Sequence, residues 1–174
     1  GSMDYGTQIS KLLSSDTTAD DYNYANTLER IRKGNMRFEY GKTVNSKALL
    51  ELDTLLGYCK NHQVEVIAFL PPFADKVYNS MVNSGKYPYL DSLFTSIKSV
   101  HDKYGYEFYD FSSMSRCNSN DTETIDGMHG SEHTYIKMLI KMLESGSRLK
   151  QVTSLERLKK DEAHKLNRLE VYGN

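Results

Sequence analysis

Cysteine is scarce. Cys59 and Cys117 are the only two, 58 positions apart and in different predicted elements. That rules out a disulfide framework, and the spacing is not one that binds metal. Two free thiols are expected; a single bridge between them would imply an exported domain. An excess of charge is also lacking. Twenty-two basic and 23 acidic residues leave a net charge of −1, which gives no reason to expect nucleic acid or an anionic membrane surface as partner. No apolar run approaches the ~20 residues that a membrane-spanning helix needs, and no signal-peptide pattern is visible. Any membrane attachment would have to come from regions outside this sequence. Tryptophan is absent beside thirteen tyrosines, a bias from which no function follows.

What is present suits one α/β domain, since 174 residues can bury a real core. Residues 1–3, "GSM", read as a cloning remnant and start methionine. Residues 4–20 are polar and read as a loose arm. Asp21 to Lys33 reads as a helix with Asp20 or Asp21 as cap and Gly34 as its stop. Residues 35–44 form a connector. Ser46 opens a strong helix with Leu49, Leu52, Leu55, Leu56 and Cys59 on one face. "VEVIAFL", Val64 to Leu70, is a short β-branched run expected to be a buried parallel strand, stopped by Pro71 and Pro72. Two helices follow, the second with Leu90, Leu93, Ile97 and Val100 on one face and Gly105 after its end. "YEFYDF", Tyr106 to Phe111, is a second strand. A polar loop leads to a helix from about Ser131 to Glu144, expected to bury Tyr135, Met138, Leu139 and Met142. Residues 149–171 read as a charged helix with Leu155, Leu158, Leu166 and Leu169 in a stripe. That helix is expected to pack on the domain or on a partner. No internal repeat is visible.

Two strands do not make a parallel sheet that can bury both faces. Either the connector at 35–44 adds a strand, or the sheet continues outside this chain. In the second case an exposed edge and apolar helix faces would favour self-association.

The chemistry concentrates in "DGMHGSEH", Asp126 to His133, where three readings compete. His129, Glu132 and His133 formally match the inverted zincin motif H-x-x-E-H, in which two histidines one turn apart bind zinc. Gly127 and Gly130 argue that His129 lies in a loop and not in the helix such a site requires. Asp126 and His129 are alternatively spaced D-x-x-H, after a strand and before a helix. The carboxylate can then hold Nδ1 and leave Nε2 as a general base. The third reading is structural. Ser131 caps the helix, Asp126 and Glu132 complement its positive end, His129 is a surface or cap residue, and His133 is an exposed residue on the helix face.

A helix, "VEVIAFLPPF", helices, "YEFYDFS", a polar loop and "DGMHGSEHTYIKML" together resemble the C-terminal half of the SGNH (GDSL-like) hydrolases and acyltransferases. The resemblance covers roughly residues 45–144. It looks closer to the bacterial cell-envelope members, those of D-alanine transfer among them, than to the secreted lipases. It implies a three-layer, flavodoxin-like α/β domain over 21–148, partial in lacking its N-terminal strands. Asp126 would orient His129 as the base of a Ser-His-Asp triad. The activity would be hydrolysis or acyl transfer on a glycan or similar small ester, with no cofactor and no metal. His133 has no role in that family.

The departure from the family is equally plain. SGNH enzymes place their serine in a G-D-S block after the first strand, and this chain has no such block. Ser145 and Ser147 in "ESGSR" follow a helix, and the N-D pair of "NSND" (118–121) lies in the wrong loop. Acid and base without nucleophile and oxyanion donors have nothing to activate. This chain alone is therefore expected to be inactive. Two further stretches could touch substrate. Pro72 and Phe73 of the "PPF" turn sit at a strand's C-terminal end, where open α/β sheets bind ligands. "KYPYL" (86–90) could stack on a sugar, although ordinary packing explains it as well. A non-catalytic interaction domain is the rival from another class, and a metal site at His129 and His133 is a third possibility.

Overall fold

A computed structural model describes residues 4–172, so the "GSM" segment lies outside the described residues. The chain is mixed α/β. Seven helices are described: α1 (Tyr5–Leu13), α2 (Ala25–Lys33), α3 (Ser46–Asn61), α4 (Asp75–Asn83), α5 (Leu90–Tyr104), α6 (Glu132–Glu144) and α7 (Leu155–Ala163). Two strands, β1 (Ile67–Leu70) and β2 (Glu107–Asp110), pair in parallel with Ile67 opposite Glu107 and Leu70 opposite Asp110.

Helices lie on both faces of this sheet. On one side Phe108 stacks on Phe94 and on His101 of α5, with ring centroids 5.6 Å and 4.6 Å apart. On the other, Ile67, Phe69 and Tyr109 pack with Phe111, Cys117 and α6 through Met138 and Met142. A separate core joins α2 to α4 around Ile31, Phe38, Val77, Met81 and Tyr87. A third joins α6 to α7 through Ile136, Ile140 and Leu158, with Val171 beside them.

Several expectations need correction. Residues 4–20 are not a loose arm. Asp4 caps α1 by accepting the Thr7 N–H at 3.0 Å, and Gln8 and Ile9 of that helix are buried. Gln8 is held by the backbone of Asp20. Helix α2 starts four residues later than expected, because Asp21, Asn23 and Tyr24 take left-handed backbone conformations with φ of 52°, 54° and 62°. Asp21 nevertheless acts as the cap, its carboxylate accepting from the backbone N–H groups of Asn26 and Thr27.

The strands are four residues each and half-buried, not buried, as expected for strands that each have only one neighbour. The connector at 35–44 forms no strand among the described residues. Leu55 and Tyr135, expected inside, are 56% and 37% exposed.

The C-terminal run is not one helix. After a short turn at Arg148–Gln151, Ser154 caps α7 by accepting the Arg157 N–H, and the helix stops at Ala163. Asn167 then folds the chain back, its Oδ1 accepting from Leu169 and Glu170. That reversal buries Leu169 and leaves Leu166 63% exposed, so the four leucines do not form one stripe.

Candidate active site

The loop between β2 and α6 is built by short-range polar caps. Asn120 accepts the Thr122 N–H at 3.0 Å. Asp121 accepts the N–H groups of Asp75 and Lys76 at 2.5 and 3.1 Å and so caps α4 from a distance in sequence. The N-D pair of "NSND" is thereby accounted for. The loop then closes on itself: Thr124 bridges Gly130, and the Ile125 N–H donates to the His129 carbonyl at 2.9 Å.

That closure sets Asp126 against His129. Asp126 Oδ1 accepts the backbone N–H groups of Met128 and His129 at 3.0 and 2.8 Å, and Oδ2 lies 2.7 Å from His129 Nδ1. Both carboxylate oxygens are therefore held. The contact fixes the tautomer with the proton on Nδ1. The His129 side chain is 64% exposed and that of Asp126 29%, so the imidazole edge bearing Nε2 is open to solvent. Gly127, with φ of 79°, makes the turn possible and packs beneath Tyr24 and Val77.

The "PPF" turn is next to this loop. The Ala74 N–H donates to the Gly127 carbonyl at 2.9 Å, and Phe73 bridges Ser113 beyond the end of the sheet. The side chains, however, face inward. Pro72 is fully buried and offers a ligand no surface. Phe73 is half-buried against Phe38, with centroids 6.2 Å apart, and packs beside Met128. Neither side chain presents a groove, and Phe73 shares its core with Met128 of the dyad loop.

No serine, threonine or cysteine side chain hydrogen-bonds to the His129 ring among the described residues. Ser145 donates to the Lys141 carbonyl at 2.8 Å, and buried Ser147 donates to the Glu107 carboxylate. Both are occupied where α6 ends.

His133 is the main surprise. Expected on the surface, it is 1% exposed. Its Nε2 lies 3.2 Å from both Glu162 Oε1 and Lys165 Nζ. Its Nδ1 is 3.4 Å from Glu123 Oε1 but not aligned for a hydrogen bond. Lys137 holds Glu123 at 2.8 Å, and Ser119 donates to the same carboxylate. Burial alone would push the Glu123 carboxyl up; Lys137 and Ser119 outweigh it and hold the group below the usual range. Glu132 accepts the N–H groups of Val171 and Tyr172, tying the chain end to α6.

The two histidines of H-x-x-E-H thus serve different surroundings. Among the described residues no group of three metal-ligating side chains comes together. The zincin spacing is coincidental because it requires a helix through His129, and Ser131 caps α6 only afterwards, accepting the Thr134 N–H at 3.3 Å. Sequence reasoning missed the Glu123–His133–Glu162 network, since its members come from three separate segments. Comparison with family models, with curated proteins and with solved structures returns no match.

Proposed function

We propose that Asp126 and His129 are the orienting acid and the base of an SGNH-type esterase or O-acyltransferase site, acting on a cell-envelope glycan ester or a similar small ester. The observation that carries this reading is the 2.7 Å contact from His129 Nδ1 to Asp126 Oδ2, with the other carboxylate oxygen held by two backbone N–H groups and the Nε2 edge open. A base ready to take a hydroxyl proton needs that arrangement. In this reading a serine hydroxyl reaches Nε2 from beyond the described residues, and further parallel strands join the free edge of β1 to complete a three-layer sheet. As the serine attacks the ester carbonyl, its proton passes to Nε2. Asp126 stabilises the imidazolium, which then returns the proton to the leaving alkoxide.

The test is hydrolysis of p-nitrophenyl acetate by this chain alone and together with the polypeptide encoded immediately upstream. Turnover that needs both, and that falls by about two orders of magnitude or more in His129→Ala, would support the reading. Turnover indifferent to His129 would sink it. Asp126→Asn should impair the combined activity less than removal of the imidazole, because it leaves the ring in place.

A non-catalytic interaction domain is the second reading. It is favoured by the exposed Leu50, Leu55 and Tyr58 of α3 and by the absence, among the described residues, of a hydroxyl group bonded to the His129 ring. It predicts no turnover in either mixture.

A further inference from the structure

We infer that the cavity between α3 and α5 is a binding site for an amphiphilic oxyanion, an alkyl chain ending in a carboxylate or phosphate. The cavity has a volume of about 600 Å³, within the ~300–1,000 Å³ typical of small-molecule sites. No residue of the Asp126–His129 loop lines it, so the inference is independent of the proposed esterase site.

Its floor is aliphatic. Leu49 and Leu52 of α3 and Leu93 and Ile97 of α5 line it. All four remain half-buried although their helices pack together. Apolar area left facing a concave space is what an alkyl chain covers on binding.

The mouth is cationic. Arg37 lines it, is exposed, and makes no ion pair among the described residues. Glu39 is the one acidic residue in the lining, and its Oε1 accepts the Arg37 backbone N–H at 3.2 Å. Lys42 and Lys86 line the adjoining depression beyond Tyr40 and Gly41. Lys86 Nζ sits 4.6 Å from the Tyr40 ring centroid. Lys86 also donates to the Tyr40 hydroxyl at 3.2 Å, so the two linings together carry three cations, Arg37, Lys42 and Lys86, against the single carboxylate of Glu39. Helix α3 also begins here, capped by Asn45 and with no acidic residue in its first turn, so its positive end adds to the field. An apolar floor beneath an unneutralised cationic mouth matches a ligand with one alkyl tail and one anionic head. A neutral lipid would leave Arg37 unanswered, and a bare anion would leave the floor wet.

The test is an NMR titration of the isotope-labelled chain with decanoate, decyl phosphate and decanol, each below its aggregation concentration. Saturable shifts are expected at Ala48, Leu49 and Leu93. At least one of the two anions should bind about tenfold or more tighter than decanol, the scale of one charge-assisted hydrogen bond. Arg37→Gln, at an exposed position, should bring that anion to decanol's level while leaving the rest of the spectrum in place. Ile97→Phe, which fills the floor, should abolish binding of all three; if that variant does not fold, the Arg37→Gln comparison still decides. Equal binding of decanol and both anions, an anion preference untouched by Arg37→Gln, or no saturable shift with any ligand would each overturn the inference.

Discussion

Gly127→Ala should destabilise the protein by two separable amounts. The first is conformational. Gly127 has φ of +79°, and a left-handed backbone costs a residue with Cβ roughly 1–2 kcal/mol. The second is steric. A Cβ at Gly127 would stand 2.8 Å from Tyr24 Cδ1 and 3.1 Å from Val77 Cγ2. Neither neighbour can yield cheaply. Tyr24 is pinned by its hydroxyl, which donates to the Asp121 carbonyl at 2.6 Å and lies 2.9 Å from Thr124 Oγ1, and Val77 is fully buried. Overpacking of this kind adds about 1–3 kcal/mol. Gly85→Ala provides the control, because Gly85 has φ of +65° and nothing within 4 Å of the new Cβ. It should cost only the conformational part. Urea unfolding of the two variants should then separate them by about 1–3 kcal/mol at unchanged m-value. If Gly127→Ala costs no more than Gly85→Ala, the packing of the dyad loop against Tyr24 and Val77 is not what holds it.

The buried carboxylate gives a pH test. Lys137 and Ser119 hold Glu123 below the ordinary carboxylate range against the opposing effect of burial. A depressed folded-state value means that its contribution is fully present above the unfolded value of about 4.3 and is lost as pH falls through the folded one. Glu123→Gln should therefore lower stability at pH 7 and flatten the stability curve below about pH 4; parallel acid-unfolding curves would refute this. The thiols give another test. Burial pushes Cys117 up to about 11, while Cys59 is partly exposed. At pH 8 an aromatic disulfide reagent should modify Cys59 readily and Cys117 only in urea; equal rates would contradict the burial.

Much of the element order was legible in residues. Ser131, Gly34 and Gly105 begin or end helices because their side chains, or the lack of one, satisfy local backbone demands. "VEVIAFL" and "YEFYDF" read as strands because β-branched and aromatic side chains suit a pleated surface, although only Ile67–Leu70 and Glu107–Asp110 pair. The errors cluster where local rules are silent. The three left-handed residues at 21–24 carry no glycine to announce them. The reversal at Asn167 interrupts a leucine spacing that would fit a continuous helix.

The candidate site divides along the same line. Asp126 and His129 are three residues apart, so a short loop suffices to join them, and the sequence by itself determined that they could pair. It also determined that no G-D-S block accompanies them. Only the tertiary structure decided the fate of His133, which meets Glu123, Glu162 and Lys165 from segments 10 to 32 residues away. It also decided that Pro72 and Phe73 turn inward, and that α3 and α5 leave an apolar hollow beside Arg37. Periodicity says which face of an element is apolar; it does not say what that face will meet, because the partner is chosen by long-range packing.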